Sequence, residues 1–195
     1  AFFRFTRCLA HCEVGAEPSV CAWTPARFAE WAAERGGRDL TLTSSHDTKR
    51  AEDARMRLVA ITHLPEAFAA LWDEAARLPG AGDVAPDHRW YVLQSWLAIH
   101  EAGRGDIGDR LAAHVEKALR EAKEVTTWTH PRPEAEAPPE AFARLLADRW
   151  REPPEAARAL LDRGDALSLA QVALKVLLPG IPDFYQGAEG ALHHL

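Results

Sequence analysis

One segment of the sequence concentrates side chains that could act on a sugar. In Ser44 to Asp53, six of the ten residues can carry charge, and they follow directly on an apolar run. Charged groups beside a protein core cost free energy unless they are paired or serve a purpose. The adjacent imidazole and carboxylate of His46 and Asp47 could stabilise developing positive charge and hydrogen-bond sugar hydroxyls. This segment is therefore a candidate active site.

The same segment also has a purely structural interpretation. Turns between a strand and a helix favour aspartate and threonine, whose side chains accept hydrogen bonds from the first backbone N–H groups of the helix. Asp47 or Thr48 would then cap the following helix, and Lys49 and Arg50 would be solvated. The residues of this segment do not by themselves decide between the two interpretations.

A second candidate segment runs from Pro179 to Glu189. Two prolines and two glycines restrict the backbone around an aromatic, amide and carboxylate set that suits sugar binding. Taken alone, this composition favours a simpler interpretation, a tight turn that buries Phe184 and Tyr185.

The His46-Asp47 pair raises a different class of protein, a helical metal phosphohydrolase. A metal site needs about four to six converging ligands. No second His/Asp pair in the sequence has a convincing spacing. The further ligands available to such a site would be His63, His88, His100 and His114.

Helical periodicity dominates the rest of the chain, which is predicted to be mostly α. Seven helices are predicted from caps, apolar spacing and stops. They comprise Thr24-Pro25 with Phe28 and Trp31; Pro65 with Phe68, Leu71, Trp72 and Ala75; an Asp87 cap with Trp90, Leu93 and Leu97; Leu111 to Leu119; Phe142 to Trp150; a short helix at Leu160-Leu161; and one from an Asp165 cap to Leu178.

Strand signals are sparse and are confined to two places. Leu40 to Thr43 and Ile181 to Tyr185 are predicted strands, whereas the four prolines of Pro131 to Pro139 predict an exposed loop. The order is therefore strand, polar loop, helical block, strand. In an α/β barrel, functional residues follow the carboxyl ends of strands, so these two strand ends are the first places to look for chemistry.

Composition excludes several classes of partner. The 195 residues are 47% hydrophobic and 27% charged, with a net charge of −6 and no basic cluster, which argues against nucleic acid. The longest apolar run, Val172 to Leu178, is too short for a membrane span and contains Lys175.

Three cysteines (Cys8, Cys12 and Cys21) and no visible signal peptide favour a reduced, cytoplasmic protein. Apolar residues at both ends suggest a piece of a longer chain.

Several segments, in this order, resemble the maltooligosyltrehalose synthase family of the α-amylase superfamily. The resemblance spans nearly the whole chain, and its most specific parts are Thr48 to Asp53 and the block beginning at Pro179. The matching segments are residues 1–5, 13–15, 45–53, 117–123, 168–171 and 179–189.

The resemblance implies a place for each part of the chain in a catalytic (β/α)8 barrel. Residues 1–47 would lead into the seventh strand and its catalytic loop, 48–178 would be a helical insertion, and 179–195 would hold the eighth strand and the loop after it. On the family motif, Asp47 matches the aspartate that stabilises the distorted sugar. The substrate-binding residues would be His46, Lys49, Arg50 and Tyr185.

The activity implied is that of a glucosylmutase, an isomerase of trehalose biosynthesis. It converts the reducing-end α-1,4 bond of a maltooligosaccharide into an α,α-1,1 bond, and it needs no metal or other cofactor. The nucleophilic aspartate and the acid/base glutamate would lie upstream in the same polypeptide, so the 195 residues alone are expected to be inactive. Two alternatives stay open: another α-glucan-active enzyme of the superfamily, and a non-catalytic helical interaction module.

Overall fold

A computed structural model describes residues 3–17, 19–20 and 22–195. Ala1, Phe2 and Cys21, which enter the sequence argument, lie outside the described residues. The described part is mostly helical, as predicted. Its main elements are α1 (Pro25–Glu34), β1 (Leu40–Thr41), α2 (Glu52–His63), α3 (Pro65–Ala75), α4 (Pro86–Ile99), α5 (Ile107–Ala122), α6 (Pro133–Arg149), α7 (Glu155–Leu177) and β2 (Ile181–Pro182).

The two predicted strands pair with each other in parallel. The amide of Ile181 donates to Asp39 O at 2.8 Å and that of Asp183 donates to Thr41 O at 2.9 Å. The strands are shorter than predicted: pairing covers Leu40–Thr41 and Ile181–Pro182, and just beyond it the Thr43 hydroxyl donates to Glu52 of α2 and Asp183 O accepts from Lys175 of α7. The carboxyl ends of both strands therefore meet at one edge.

The core is built around α4. All residues of this helix from Tyr91 to Ile99 are buried, which is typical of a central helix rather than of the amphipathic one predicted. Its start also differs from the prediction, because Ala85 is the N-cap residue and Asp87 lies within the first turn.

Among the described residues, no helix has both the length and the apolar character required to cross a membrane.

The prediction of an exposed loop from Pro131 to Pro139 is wrong, because α6 begins at Pro133. A proline at the first helical position costs no hydrogen bond, since that N–H would be unpaired in any case. Further along, the buried carboxylate of Glu136 receives hydrogen bonds from Arg120 at 2.8 Å and from Thr126 at 2.6 Å. These contacts with α5 and the following loop hold the proline-rich turns in helical conformation.

The two helices predicted near Leu160 and Asp165 are one continuous helix, α7. Asp165 is therefore not a helix cap, and the preceding residue, Gly164, is buried in the interior of the same helix. A Cβ atom on Gly164 would lie 2.5 Å from Cγ and 2.8 Å from Cα of Arg57 in α2. The glycine is present because α2 and α7 cross at this point with no room for a side chain.

Replacing Gly164 by alanine is expected to destabilise the protein by about 1–3 kcal/mol, since the added methyl would force the two helices apart. The free energy of unfolding, from urea titration followed by circular dichroism, measures this. Gly108→Ala is the matched control, because the nearest atom to its Cβ would be at 3.5 Å, an ordinary contact. An equal loss in both variants would contradict the close-crossing explanation.

Candidate active-site cleft

The His46-Asp47 pair lies on a turn that follows β1. The turn runs from Ser45 to Thr48 and is closed by the Thr48 amide, at 3.2 Å, and the Thr48 hydroxyl, at 2.8 Å, both donating to Ser45 O. His46 Nε2 lies 3.4 Å from Asp47 Oδ2, and the two side chains are 79% and 61% exposed. The turn therefore presents an imidazole and a carboxylate together to the solvent side of the strand edge.

The capping interpretation of this segment is wrong. Helix α2 begins at Glu52, its N-cap residue is Ala51, and no side chain caps it. The Thr48 hydroxyl is used within the turn, and the amide of Asp47 donates to Ser45 Oγ at 3.3 Å. The turn thus has its own hydrogen bonds and does not serve the helix.

A cleft of about 270 Å³ opens beside this turn, between the segments that follow the two strands. Four of the five predicted site residues line it: His46, Lys49, Arg50 and Tyr185. Asp47 is outside the lining but is held against His46. The structure thus brings residues more than 130 positions apart in sequence to one cleft.

Arg50 plays a different part in the cleft from the other lining residues. It is 1% exposed, and its guanidinium points into the protein: Nη1 donates to Cys12 O at 3.2 Å and Nη2 to Tyr91 OH at 3.4 Å. The expectation that Arg50 is solvated is therefore wrong. Lys49 instead keeps its ammonium at the surface, where Nζ donates to Asp47 O at 3.0 Å.

Tyr185 is half-buried and lines the cleft from the opposite side. A turn does follow it, in which the Ala188 amide donates to Tyr185 O at 3.0 Å. The expected burial of both rings is wrong, because Phe184 is 37% exposed and Tyr185 only partly covered. A partly exposed phenol on a cleft wall remains available for stacking or hydrogen bonding.

A buried ion pair behind the cleft ties the two strand ends together. Lys175 Nζ in α7 lies 3.0 Å from both carboxylate oxygens of Glu52 and donates to Asp183 O at 3.3 Å. The Thr43 hydroxyl donates to the same carboxylate, and the ammonium lies 4.2 Å from the ring centroid of Phe184. The pairing of these two residues was not predicted, although Lys175 stands out within an apolar run and Glu52 lies in the charged segment Ser44 to Asp53.

A second buried polar pair lies beneath Arg50. Tyr91 OH is 2.6 Å from His114 Nε2, and both side chains are buried in the helical core. Burial, followed by the nearby charges of Arg50 and Lys117, lowers the pKa of His114 from 6.5 to about 3. Burial raises the pKa of Tyr91 to about 12. His114 is thus a neutral hydrogen-bonding partner over the ordinary pH range.

Replacing His114 by glutamine is expected to flatten the pH dependence of stability between pH 6.5 and 3. The unfolded chain takes up a proton near pH 6.5 and the folded chain only near pH 3, so His114 costs stability as the pH falls through this range. The slope attributable to it is at most about 1.4 kcal/mol per pH unit. Urea unfolding at several pH values tests this.

The matched control is His63→Gln, at an exposed position at the end of α2. Its stability curve is expected to run parallel to that of the unaltered protein. Identical slopes for His114→Gln and the unaltered protein would show that His114 is protonated in the folded state, contrary to its environment.

The histidines proposed for a phosphohydrolase metal site do not gather around His46. Within residues 3–17, 19–20 and 22–195, the one group of three potential ligands is Glu116, Glu136 and Glu140, which includes neither His46 nor Asp47. Arg120 pairs with two of these carboxylates, at 2.6 Å and 2.8 Å, and so already supplies positive charge there. The geometry gives the metal alternative no support.

A polar loop and an aromatic residue at the carboxyl ends of adjacent parallel strands are typical of α/β enzymes. No protein-family model matches the chain. It is 32% identical to a Mycobacterium tuberculosis protein named as a maltooligosyl trehalose synthase, over 96% of this chain and 25% of that protein. The resemblance to maltooligosyltrehalose synthases is thereby confirmed.

Solved structures agree with the sequence comparison. The crystal structure of a hypothetical maltooligosyl trehalose synthase of Sulfolobus tokodaii has a TM-score of 0.85 and 29% identity, covering 96% of this chain and 27% of that one. The Arthrobacter ramosus maltooligosyltrehalose synthase has a TM-score of 0.77 and 30% identity, with coverage of 98% and 25%. The chain therefore spans about a quarter of the length of the proteins it matches.

Proposed function

We propose that this chain forms part of an intramolecular transglucosylase that converts the reducing-end α-1,4 bond of a maltooligosaccharide into an α,α-1,1 bond. The observation that carries the proposal is the cleft at the shared edge of β1 and β2, lined by His46, Lys49 and Tyr185. Homology to maltooligosyltrehalose synthases over nearly the whole chain supports the choice of substrate and reaction.

Each cleft residue has a proposed role in this reaction. Asp47 stabilises the positively charged, distorted sugar in the transition state, and His46 hydrogen-bonds the same sugar. Lys49 and Tyr185 bind sugar hydroxyls or a ring face. Arg50 was predicted to bind substrate directly, but its inward guanidinium supports a revised role, that of holding the loop in place.

We place β1 and β2 as the seventh and eighth strands of a (β/α)8 barrel, with residues 48–178 as an insertion between them. Two paired strands are marginal in isolation, and parallel sheets are normally covered on both faces. Leu40, Leu42 and Ile181 are nevertheless exposed, at 59%, 46% and 55%. These apolar side chains support a barrel whose other strands and helices cover them.

The proposed mechanism requires two further carboxylates, a nucleophilic aspartate and an acid/base glutamate, on earlier barrel strands of the same polypeptide. We propose that the 195 residues on their own are inactive for this reason, because removing a member of a jointly acting set abolishes nearly all rate.

Incubation of the full-length protein with maltohexaose tests the proposed function. The expected result is a loss of reducing ends without release of glucose or trehalose. An increase in reducing ends would indicate an amylase, and free trehalose would indicate a trehalose-releasing hydrolase, each overturning the proposed reaction. The 195-residue chain assayed in parallel is expected to leave the reducing ends unchanged.

A further inference from the structure

A buried glutamate outside the cleft holds the segment that follows the His46-Asp47 turn. Glu13 is buried, and its carboxylate accepts hydrogen bonds from the backbone amides of Lys49, at 2.7 Å, and Arg50, at 3.0 Å. The amide of Val14 donates to the same carboxylate at 2.9 Å. Hydrogen bonds from backbone N–H groups to a carboxylate are among the stronger ones in proteins.

The attachment between the two segments is reciprocal. While the Glu13 carboxylate accepts from the loop backbone, the Arg50 guanidinium donates to the carbonyl of Cys12, the residue before Glu13. Lys49 follows Asp47 by two residues, and its ammonium donates to Asp47 O. The backbone that carries Asp47 beside the cleft is thus fixed on its C-terminal side by a residue more than 30 positions earlier in the chain.

We propose that Glu13 is a positioning residue for the transglucosylation, acting through the backbone of Lys49 and Arg50 to hold Asp47 where it meets the transition state. This inference rests on the proposed function, because it assumes the role given to Asp47. Glu13 does not line the cleft, so its effect falls on the geometry of the loop.

Glu13→Gln in the full-length protein tests the proposal, because the amide keeps the size of the side chain but turns one acceptor oxygen into a donor. Misplacement of a catalytic group by about 1 Å can cost up to about 100-fold in rate, so we expect kcat on maltohexaose to fall by about 10- to 100-fold. KM is expected to stay within about threefold, since Asp47 acts mainly on the transition state.

Glu17→Gln is the matched control, since Glu17 lies in the same segment, is exposed, and its carboxylate accepts hydrogen bonds from the amide and hydroxyl of Ser19, away from the Lys49 and Arg50 backbone. It is expected to keep kcat and KM unchanged. If Glu13→Gln behaves like this control, the positioning role is overturned. Should Glu13→Gln fail to fold, Glu13→Asp takes its place. The shorter aspartate side chain holds the loop less closely, so kcat is again expected to fall while KM stays within about threefold.

Amide hydrogen exchange separates this inference from the proposed function. In Glu13→Gln, but not in Glu17→Gln, the amides of Lys49 and Arg50 are expected to exchange faster than in the unaltered protein. If the unaltered protein lacks synthase activity, the proposed function fails, while the exchange result still decides whether Glu13 holds the loop. Unchanged exchange at both amides would overturn the attachment itself.

Discussion

Asp47→Asn in the full-length protein is expected to lower kcat on maltohexaose by several orders of magnitude. The asparagine side chain has nearly the same shape but carries no charge, so it removes the electrostatic stabilisation of the positively charged sugar in the transition state. Because that stabilisation is largest in the transition state, kcat is expected to fall far more than KM rises. Initial rates of reducing-end loss, measured over a range of maltohexaose concentrations, give both values.

The folded structure is expected to tolerate this change. Asp47 is 61% exposed and its carboxylate lies 3.4 Å from the His46 ring at the surface, so the free energy of unfolding is expected to change by no more than about 1–2 kcal/mol. Urea unfolding curves for Asp47→Asn and the unaltered protein show whether the variant is folded, and therefore whether a loss of activity comes from the missing charge.

Asp148→Asn provides a control of the same chemistry. Asp148 is 65% exposed and pairs with Arg151 at 2.8 Å, on a helical surface away from the cleft. Its kcat is expected to match that of the unaltered protein. Near-normal turnover in Asp47→Asn would refute the role given to Asp47, because a lost transition-state charge cannot leave the rate intact.

Local patterns in the sequence were sufficient to predict the two strands and the polar segment that carries His46 and Asp47, whereas Lys49, Arg50 and Tyr185 were assigned from the family resemblance. Alternation of apolar and polar residues indicates a strand, and the polar cluster that follows Leu40 to Thr43 indicates where this strand ends. The loop carrying His46 and Asp47 could therefore be found without knowing which elements pack beside it. In the structure the two strands pair in parallel. Tyr185, which follows β2, therefore lines the same cleft as His46, which follows β1.

The errors occurred where contacts distant in sequence decide the local conformation. The prolines from Pro131 to Pro139 indicated a loop and Asp165 a helix cap, yet α6 starts at Pro133, and Asp165 lies inside α7, next to the glycine that allows two helices to cross closely. Glu13 and the Glu52–Lys175 pair could not be assigned either, since their partners are 36 to 123 residues away. A single sequence contains no signal that relates such positions.

Lys175→Met is expected to be the most destabilising of the substitutions considered, at about 3–5 kcal/mol. Both members of the pair are almost completely buried, so removing the ammonium leaves the Glu52 carboxyl group buried without the cation that lies 3.0 Å from it, and with a hydrogen bond from the Thr43 hydroxyl. The contact of the ammonium with Phe184 is lost as well. Urea unfolding followed by circular dichroism measures the change in free energy of unfolding.

Two further variants isolate the cause of this loss. Lys117→Met makes the same change at an exposed position of α5 and is expected to alter stability by about 0.5 kcal/mol or less. Glu52→Gln combined with Lys175→Met removes both charges, and it is expected to recover part of the stability, because the penalty lies in the unpaired buried carboxylate. If the double variant is instead as unstable as the single one, the main contribution of Lys175 is not charge pairing but the link it makes between α2 and Asp183, the residue that follows β2.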